Sequence, residues 1–274
     1  MGGGTFTDSI VDIVNKYNGS ITCYDMSKYN LPLLPVNLPG QRANIPVESY
    51  FRLFVPNVLS SEIDKVLWLD CDIIVADTIN ALWDEDISDY GVGAIPDFEH
   101  NNVHIMNRLG YDATYGYFNA GVLLINVKYW RENNVIADFQ DYIHNHFNEL
   151  KFHDQDVLNY VFYHSKKELS IRYNFQMTFL YKNNFRNFSC KYFTQVDEYY
   201  QSPSIIHYTD SKPWFDDTIS PMKAIFIKYQ DMTRWKGVIL KKKKTLKRQI
   251  INIAICIKYK EKTLRRVYYD SKYL

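Results

Sequence analysis

The chain has 274 residues, 46% hydrophobic and 23% charged, ample for a sizeable core in one large domain, or in one domain with an appendage. Four scattered cysteines, Cys23, Cys71, Cys190 and Cys256, form no C-x-x-C pair, which excludes a zinc cage or disulfide framework and points to a reducing compartment. The net charge of +1 conceals a split: residues 236–274 carry thirteen basic and two acidic groups, net +11, and the remainder carries −10.

No apolar run follows a basic start, so no signal peptide is expected. Ile10, Ile13, Val14 and Tyr17 repeat with helical spacing after Thr7 or Asp8, a suitable N-cap, and Asn18-Gly19 ends that helix. Ser20 to Tyr24 reads as a strand. Val66-Leu67-Trp68-Leu69 is an apolar run closed by acids, the pattern of a buried strand with a functional carboxyl end. Gly91 to Ile95, Gly121 to Val127 and Ile205-Ile206 read as further strands, with helices over Asn134 to Leu150 and Asp154 to Tyr163. The class is α/β with a mainly parallel sheet, whose ligands bind outside the carboxyl ends of the strands. Lys241 to Lys244 precede Leu246, Ile250, Ile253, Ala254 and Ile257, which predict a basic amphipathic helix too short and interrupted to span a bilayer. The boundaries are thus a domain over 6–235 and a basic tail over 236–274.

Asp70-Cys71-Asp72 places two carboxylates at a strand end, a donor set suited to a hard divalent cation beside phosphate. Taken alone, such a pair is as readily solvated punctuation. Other residues have plain alternatives too. His207 can be a hydrogen-bonded strand-end histidine, Asn119 a turn cap, Asp154 a helix N-cap and Lys212 a loop lysine. Arg52 can pair with Glu48 on a helix surface.

In order along the chain stand Leu69-Asp70-Cys71-Asp72-Ile73-Ile74-Val75, Tyr117-Phe118-Asn119-Ala120-Gly121-Val122, His153-Asp154-Gln155-Asp156, His207-Tyr208 and Lys212-Pro213-Trp214. Over Phe6 to Trp214 this set resembles glycosyltransferase family 8, which includes bacterial lipopolysaccharide galactosyl- and glucosyltransferases. The resemblance implies a type A (Rossmann-like) glycosyltransferase fold and retaining transfer of galactose or glucose from a UDP-sugar to a glycan or lipid-linked acceptor. It implies Mn2+ (or Mg2+) held by Asp70, Asp72 and His207, and an imidazole beside two carboxylates favours manganese. It implies Lys212 on the diphosphate, and Arg52, Asp97, Asn119 and Ala120 around the donor sugar. Asp154 and Gln155 fall at the reacting face, with Gln155 the better placed. An amide is a poor nucleophile, which favours front-side attack by the acceptor hydroxyl.

Two departures qualify the match. The N-terminal nucleotide-binding strand is lacking, which predicts weak nucleotide binding and an exposed sheet edge. Asp210 stands near a position usually held by glycine, and His207 and Lys212 are one residue closer than usual. A catalytically weak sugar-binding remnant is therefore the second reading, and a haloacid dehalogenase-type phosphatase, which also uses D-x-D, the third. The tail predicts an anionic membrane surface as partner in preference to nucleic acid, and so a cytoplasmic protein peripheral on the inner face of the membrane.

Overall fold

In the computed structural model the described residues are 3–29, 31, 47–180, 188–209, 212–216 and 222–241. In chain order they form α1 (Gly3–Lys16), α2 (Val55–Val58), β1 (Lys65–Leu69), β2 (Ile73–Val75), α3 (Asn80–Trp83) and β3 (Val92–Pro96). Then come α4 (Val103–Leu109), β4 (Phe118–Asn126), α5 (Val127–Glu132), α6 (Val135–His146), α7 (Asp154–Phe162) and β5 (Lys166–Glu168). Last are β6 (Phe175–Gln176), α8 (Phe193–Tyr200), β7 (Ile205–His207) and α9 (Lys223–Gln230).

The architecture is α/β, as the sequence indicates, but its sheets are mixed instead of mainly parallel. One has four strands in the order β1-β4-β3-β5, the other three in the order β2-β7-β6. β4 runs antiparallel to both neighbours and β2 antiparallel to β7, whereas β3–β5 and β6–β7 pair in parallel. A strand buried on both faces reads as a continuous apolar run in either direction, so Val122 to Ile125 of β4 carry no mark of its reversal. Val66 to Leu69 form the expected strand, yet every residue of β1 is only partly buried, because it is an edge strand among the described residues.

The helix breaker at Asn18-Gly19 acts as expected: Asn18 is left-handed at φ 56° and the Gly19 amide returns to the Val14 carbonyl. The helix itself begins at Gly3, ahead of the anticipated cap. Ser20 to Tyr24 are exposed and pair with no strand among the described residues, so the run without a partner stays irregular. The expected tail helix over 246–257 lies outside the described residues. No helix among those described is long and apolar enough to cross a membrane.

The core has two halves on opposite faces of the four-stranded sheet. Val92, Ala94, Leu123 and Ile125 face one cluster, with Trp130, Phe139 and Phe162 packed from α5, α6 and α7. Ile95, Val122 and Leu124 face the other, with Phe175, Ile205 and Ile206 of the smaller sheet. The side-chain period of two breaks once in β4. Opposite β3 the register jumps from Ala94↔Leu123 to Ile95↔Asn119, leaving Ala120, Gly121 and Val122 bulged.

Candidate active site

That bulge supplies main-chain polar groups to a site. The Ala120 N–H donates to Gln155 Oε1 at 2.9 Å, and its carbonyl accepts from Arg52 Nη1. The Gly121 N–H donates back to Asn119 Oδ1 at 2.9 Å, while its carbonyl accepts from the Asp70 N–H at 2.9 Å. Gly121 is required by space. A Cβ there would stand 2.1 Å from His207 Cε1.

Asp70 prolongs the β1–β4 pairing, whereas the Asp72 carbonyl accepts from the Tyr208 N–H at 3.0 Å and prolongs β2–β7. The D-x-D segment therefore steps from one sheet to the other. It brings Asp70, Asp72 and His207 together, with one candidate ligand atom from each all within 4.8 Å of one another. His207 Nε2 lies 3.2 Å from Asp72 Oδ1.

The histidine tautomer follows from the neighbours. Because Asn119 Oδ1 accepts from a backbone N–H, it also accepts from Asn174 Nδ2, at 2.9 Å. Asn174 Oδ1 is thereby left facing His207 Nδ1 at 2.9 Å. Nδ1 then carries a proton, and Nε2 is the nitrogen turned toward the two carboxylates, able to coordinate a metal once it gives up the proton it directs at Asp72. Two hard oxygens and one imidazole nitrogen fit a divalent cation.

Positive charge surrounds this group. Lys212 Nζ contacts Asp72 Oδ2 and donates to the Tyr208 carbonyl at 2.7 Å. Arg52 Nη2 donates to Asp70 Oδ1 at 2.9 Å, and Trp68 Nε1 donates to the same oxygen at 3.0 Å. Arg52 Nε sits 2.8 Å from Asp154 Oδ2 as an ion-pair contact without the alignment of a hydrogen bond. Its guanidinium also lies 5.0 Å from the centre of the Trp68 ring.

Burial opposes ionisation of Asp72, but the hydrogen bonds and charges of His207 and Lys212 outweigh it and hold the carboxyl well below its usual range. Burial wins at Asp154, pushed up to about 7 against the attraction of Arg52. It also wins at Asp97, pushed up to about 6 although Asn119 Nδ2 donates to it at 2.9 Å.

Every site residue singled out in the sequence thus belongs to one connected network. It runs from Lys212 through Asp72, His207, Asn174 and Asn119 to Asp97 and Gln155, then through Ala120 and Arg52 to Asp70 and Asp154. Arg52 turns inward instead of along the surface to Glu48. Asp154 is the first helical residue of α7, with His153 at the N-cap position. Asp210 lies outside the described residues.

Sequence reading missed Asn174, which joins the two halves of the network. The only signal was a pair of amides, Asn174 and Gln176, in a buried apolar stretch. A surface cavity of about 500 Å³ lined by Asp64, Lys65, Asp84, Asp86 and Asn126 opens at the opposite end of β1 and shares none of these groups.

Comparison with known proteins gives this constellation a family. The model of Glycosyl transferase family 8 matches residues 6–218. The chain belongs to that family. General stress protein A of Bacillus subtilis (strain 168) is 30% identical over 203 residues, 72% of this chain and 70% of that protein. A lipopolysaccharide 1,2-glucosyltransferase of Escherichia coli is 28% identical over 242 residues, 86% of this chain and 68% of its own length. The galactosyltransferase LgtC, crystallised with donor and acceptor sugar analogs, superposes with a TM-score of 0.59 at 26% identity, over 76% of this chain and 72% of LgtC. The family 8 chain is a glycosyltransferase of the type A fold, and the phosphatase reading falls away.

Proposed function

We propose that this glycosyltransferase transfers galactose or glucose, with retention, from a UDP-sugar to a glycan or lipid-linked acceptor, and that Asp70, Asp72 and His207 hold Mn2+ or Mg2+ for the reaction. The observation that carries this reading is the convergence of two carboxylates and a tautomer-fixed imidazole beside Lys212. It is supported by the glucosyltransferase and galactosyltransferase relatives.

A divalent cation bound there supplies positive charge against the diphosphate that departs with the electrons of the anomeric bond. Lys212, half-buried and close to Asp72, adds a fixed charge for the same group. Arg52 ties Asp70 to Asp154 and the Ala120 carbonyl, and so sets the metal side against the sugar side. Asp97 and Asn119 offer polar groups for sugar hydroxyls. Gln155 lines the reacting face with an amide, whose oxygen stabilises developing positive charge on the sugar without becoming a strong nucleophile. That favours attack by the acceptor hydroxyl on the face the diphosphate leaves, the diphosphate taking its proton.

The basic residues beyond Lys236 fit an anionic membrane surface at the site of a lipid-linked acceptor, which suits lipopolysaccharide assembly and a cytoplasmic, peripheral location.

The test is UDP release and sugar transfer from UDP-glucose and UDP-galactose with and without Mn2+, in the native chain and in Asp72→Ala. Metal-dependent turnover abolished by Asp72→Ala is expected. Turnover that ignores both metal and Asp72 refutes the assignment. Sedimentation with phosphatidylserine vesicles, comparing the full chain with one ending at Lys241, tests the tail. That end point keeps the hydrogen bonds of Leu240 to Trp214 and Asp216.

A further inference from the structure

β1 pairs with β4 from Val122 to Asn126, and the Asp70 N–H adds a bond at the Gly121 carbonyl. β4 begins earlier still, at Phe118, where β1 no longer runs beside it. Buried backbone groups there need partners, and side chains supply them. Gln155 and Arg52 serve Ala120. Asn159 of α7 serves Phe118. Its Oδ1 accepts from the Phe118 N–H at 2.8 Å, and its Nδ2 donates to the Phe118 carbonyl at 2.8 Å. Nδ2 also donates to the Gln155 carbonyl at 2.9 Å.

Asn159 is fully buried. Both hydrogens of its amide are committed, and the Phe118 N–H fixes which end is oxygen. The paired bonds to Phe118 copy the exchange that a residue on a neighbouring antiparallel strand makes. Asn159 and Gln155 stand one turn apart on one face of α7, about 6 Å along the helix. Phe118 and Ala120 stand two residues apart on β4, about 6.7 Å along the strand. The two side-chain amides therefore keep step with the two backbone sites, Asn159 at Phe118 and Gln155 at Ala120. With Asn159 seated, α7 cannot slide along β4. Gln155 Oε1 is then kept 2.9 Å from the Ala120 nitrogen and 3.3 Å from Asn119 Nδ2. Asp156, the residue after Gln155, accepts from the Lys151 and Phe152 N–H groups, from Arg108 and from the Tyr117 hydroxyl. Its carboxylate fastens the loop ahead of the helix, whereas Asn159 fastens the helix to the strand that lines the site.

We infer that Asn159 is a positioning residue: docked on the backbone of Phe118, it sets the register of α7 against β4 and so the place of the Gln155 amide at the reacting face. This rests on the reading of Gln155 as the group at that face.

The test uses the full chain carrying Asn159→Ala or Asn159→Asp, each alone and with Gln155→Ala. Asn159→Asp fills the same space and keeps an acceptor for the Phe118 N–H while losing at least one donor, so it serves where Asn159→Ala does not fold. In the metal-free chain either variant is expected to speed hydrogen exchange of the Ala120 amide by at least about tenfold beyond any change at Leu124, farther along the same strand. General destabilisation would move both amides together. With Mn2+, kcat for UDP release from UDP-glucose or UDP-galactose is expected to fall by about ten- to a hundredfold, the order for a misplaced group. The donor KM is expected to change less than about twofold, since Asn159 acts on α7 and not on the nucleotide. In the Gln155→Ala background neither readout should move further, which a merely structural role would not produce. Full additivity in kcat overturns the inference. So does Ala120 exchange that stays in step with Leu124, and this readout decides even where turnover is too slow to measure. An undiminished kcat in Gln155→Ala alone instead defeats the catalytic reading of Gln155, so the two failures are distinguishable.

Discussion

Gly121→Ala tests the site at its narrowest point. The added Cβ would stand 2.1 Å from His207 Cε1, 2.8 Å from Nδ1 and 3.0 Å from Asn119 Oδ1. An ordinary carbon contact needs about 3.5–4.0 Å, so the ring has to retreat by roughly 1.5 Å. A metal site tolerates about 0.2 Å. Retreat also opens the 2.9 Å bond from Nδ1 to Asn174, which fixes the tautomer. Overpacking is expected to destabilise the fold by about 1–3 kcal/mol, read from the urea midpoint. Because the ligand itself moves, Mn2+ affinity measured by titration calorimetry should fall by at least about 10–100-fold, the loss common when only a supporting partner is removed. In a His207→Ala background the same substitution meets no ring, so its stability cost should shrink to a fraction. An unchanged Mn2+ affinity in Gly121→Ala refutes the role of His207 as a ligand, and an equal cost in both backgrounds refutes the steric account.

Three other outcomes follow from the charges. Asp156→Ala leaves the Arg108 guanidinium, only 14% exposed, without its carboxylate, and is expected to cost about 3–5 kcal/mol in urea unfolding. Asp154 and Asp97 hold protons in the folded chain up to about pH 7 and 6, while unfolded carboxyls release theirs near 4. Between those limits the native state binds more protons, so these groups make metal-free stability decline as pH rises from about 4 to 7. Asp154→Asn should flatten that decline, and an unaltered slope in denaturant titrations across this range contradicts it. Lys212 neutralises Asp72, so Lys212→Ala should tighten Mn2+ binding in the absence of nucleotide by about two- to tenfold while reducing turnover. Weaker metal binding in that variant refutes the competition between ammonium and cation.

Asp70, Asp72, Asn119, Gln155 and His207 were legible because each sits in a short string whose order along the chain is itself informative. Helices α6 and α7 were legible from their periodicity, apart from a last 3-10 turn at Phe147–Glu149. The direction of β4 was not, since its apolar run Val122 to Ile125, buried on both faces, lacks the alternation that distinguishes a half-exposed antiparallel strand. Its bulge was hidden for a different reason: a strand read from Gly121 leaves out Phe118, Asn119 and Ala120, which lie on the other side of the change of parity. Ser20 to Tyr24 misled because local preference cannot supply a pairing partner. Asn174 was invisible because its importance lies wholly in contacts with residues distant in sequence, Asn119 and His207. Tyr117 and Asp156 were in view within their motifs, but one reads as core and the other as favourable charge at a helix start.

The bulge in β4 also bears on how this site tolerates mutation. At Ala120 the two groups it presents, an N–H to Gln155 and a carbonyl to Arg52, belong to the backbone and are common to nearly all amino acids. A saturation scan of that position should therefore sort substitutions by volume, with polarity and charge mattering through the packing of a site only 3% exposed. Proline alone deletes the donor itself. Serine or glycine at 120 should leave these two backbone groups in place, so relatives can exchange small residues here while keeping the links to Gln155 and Arg52.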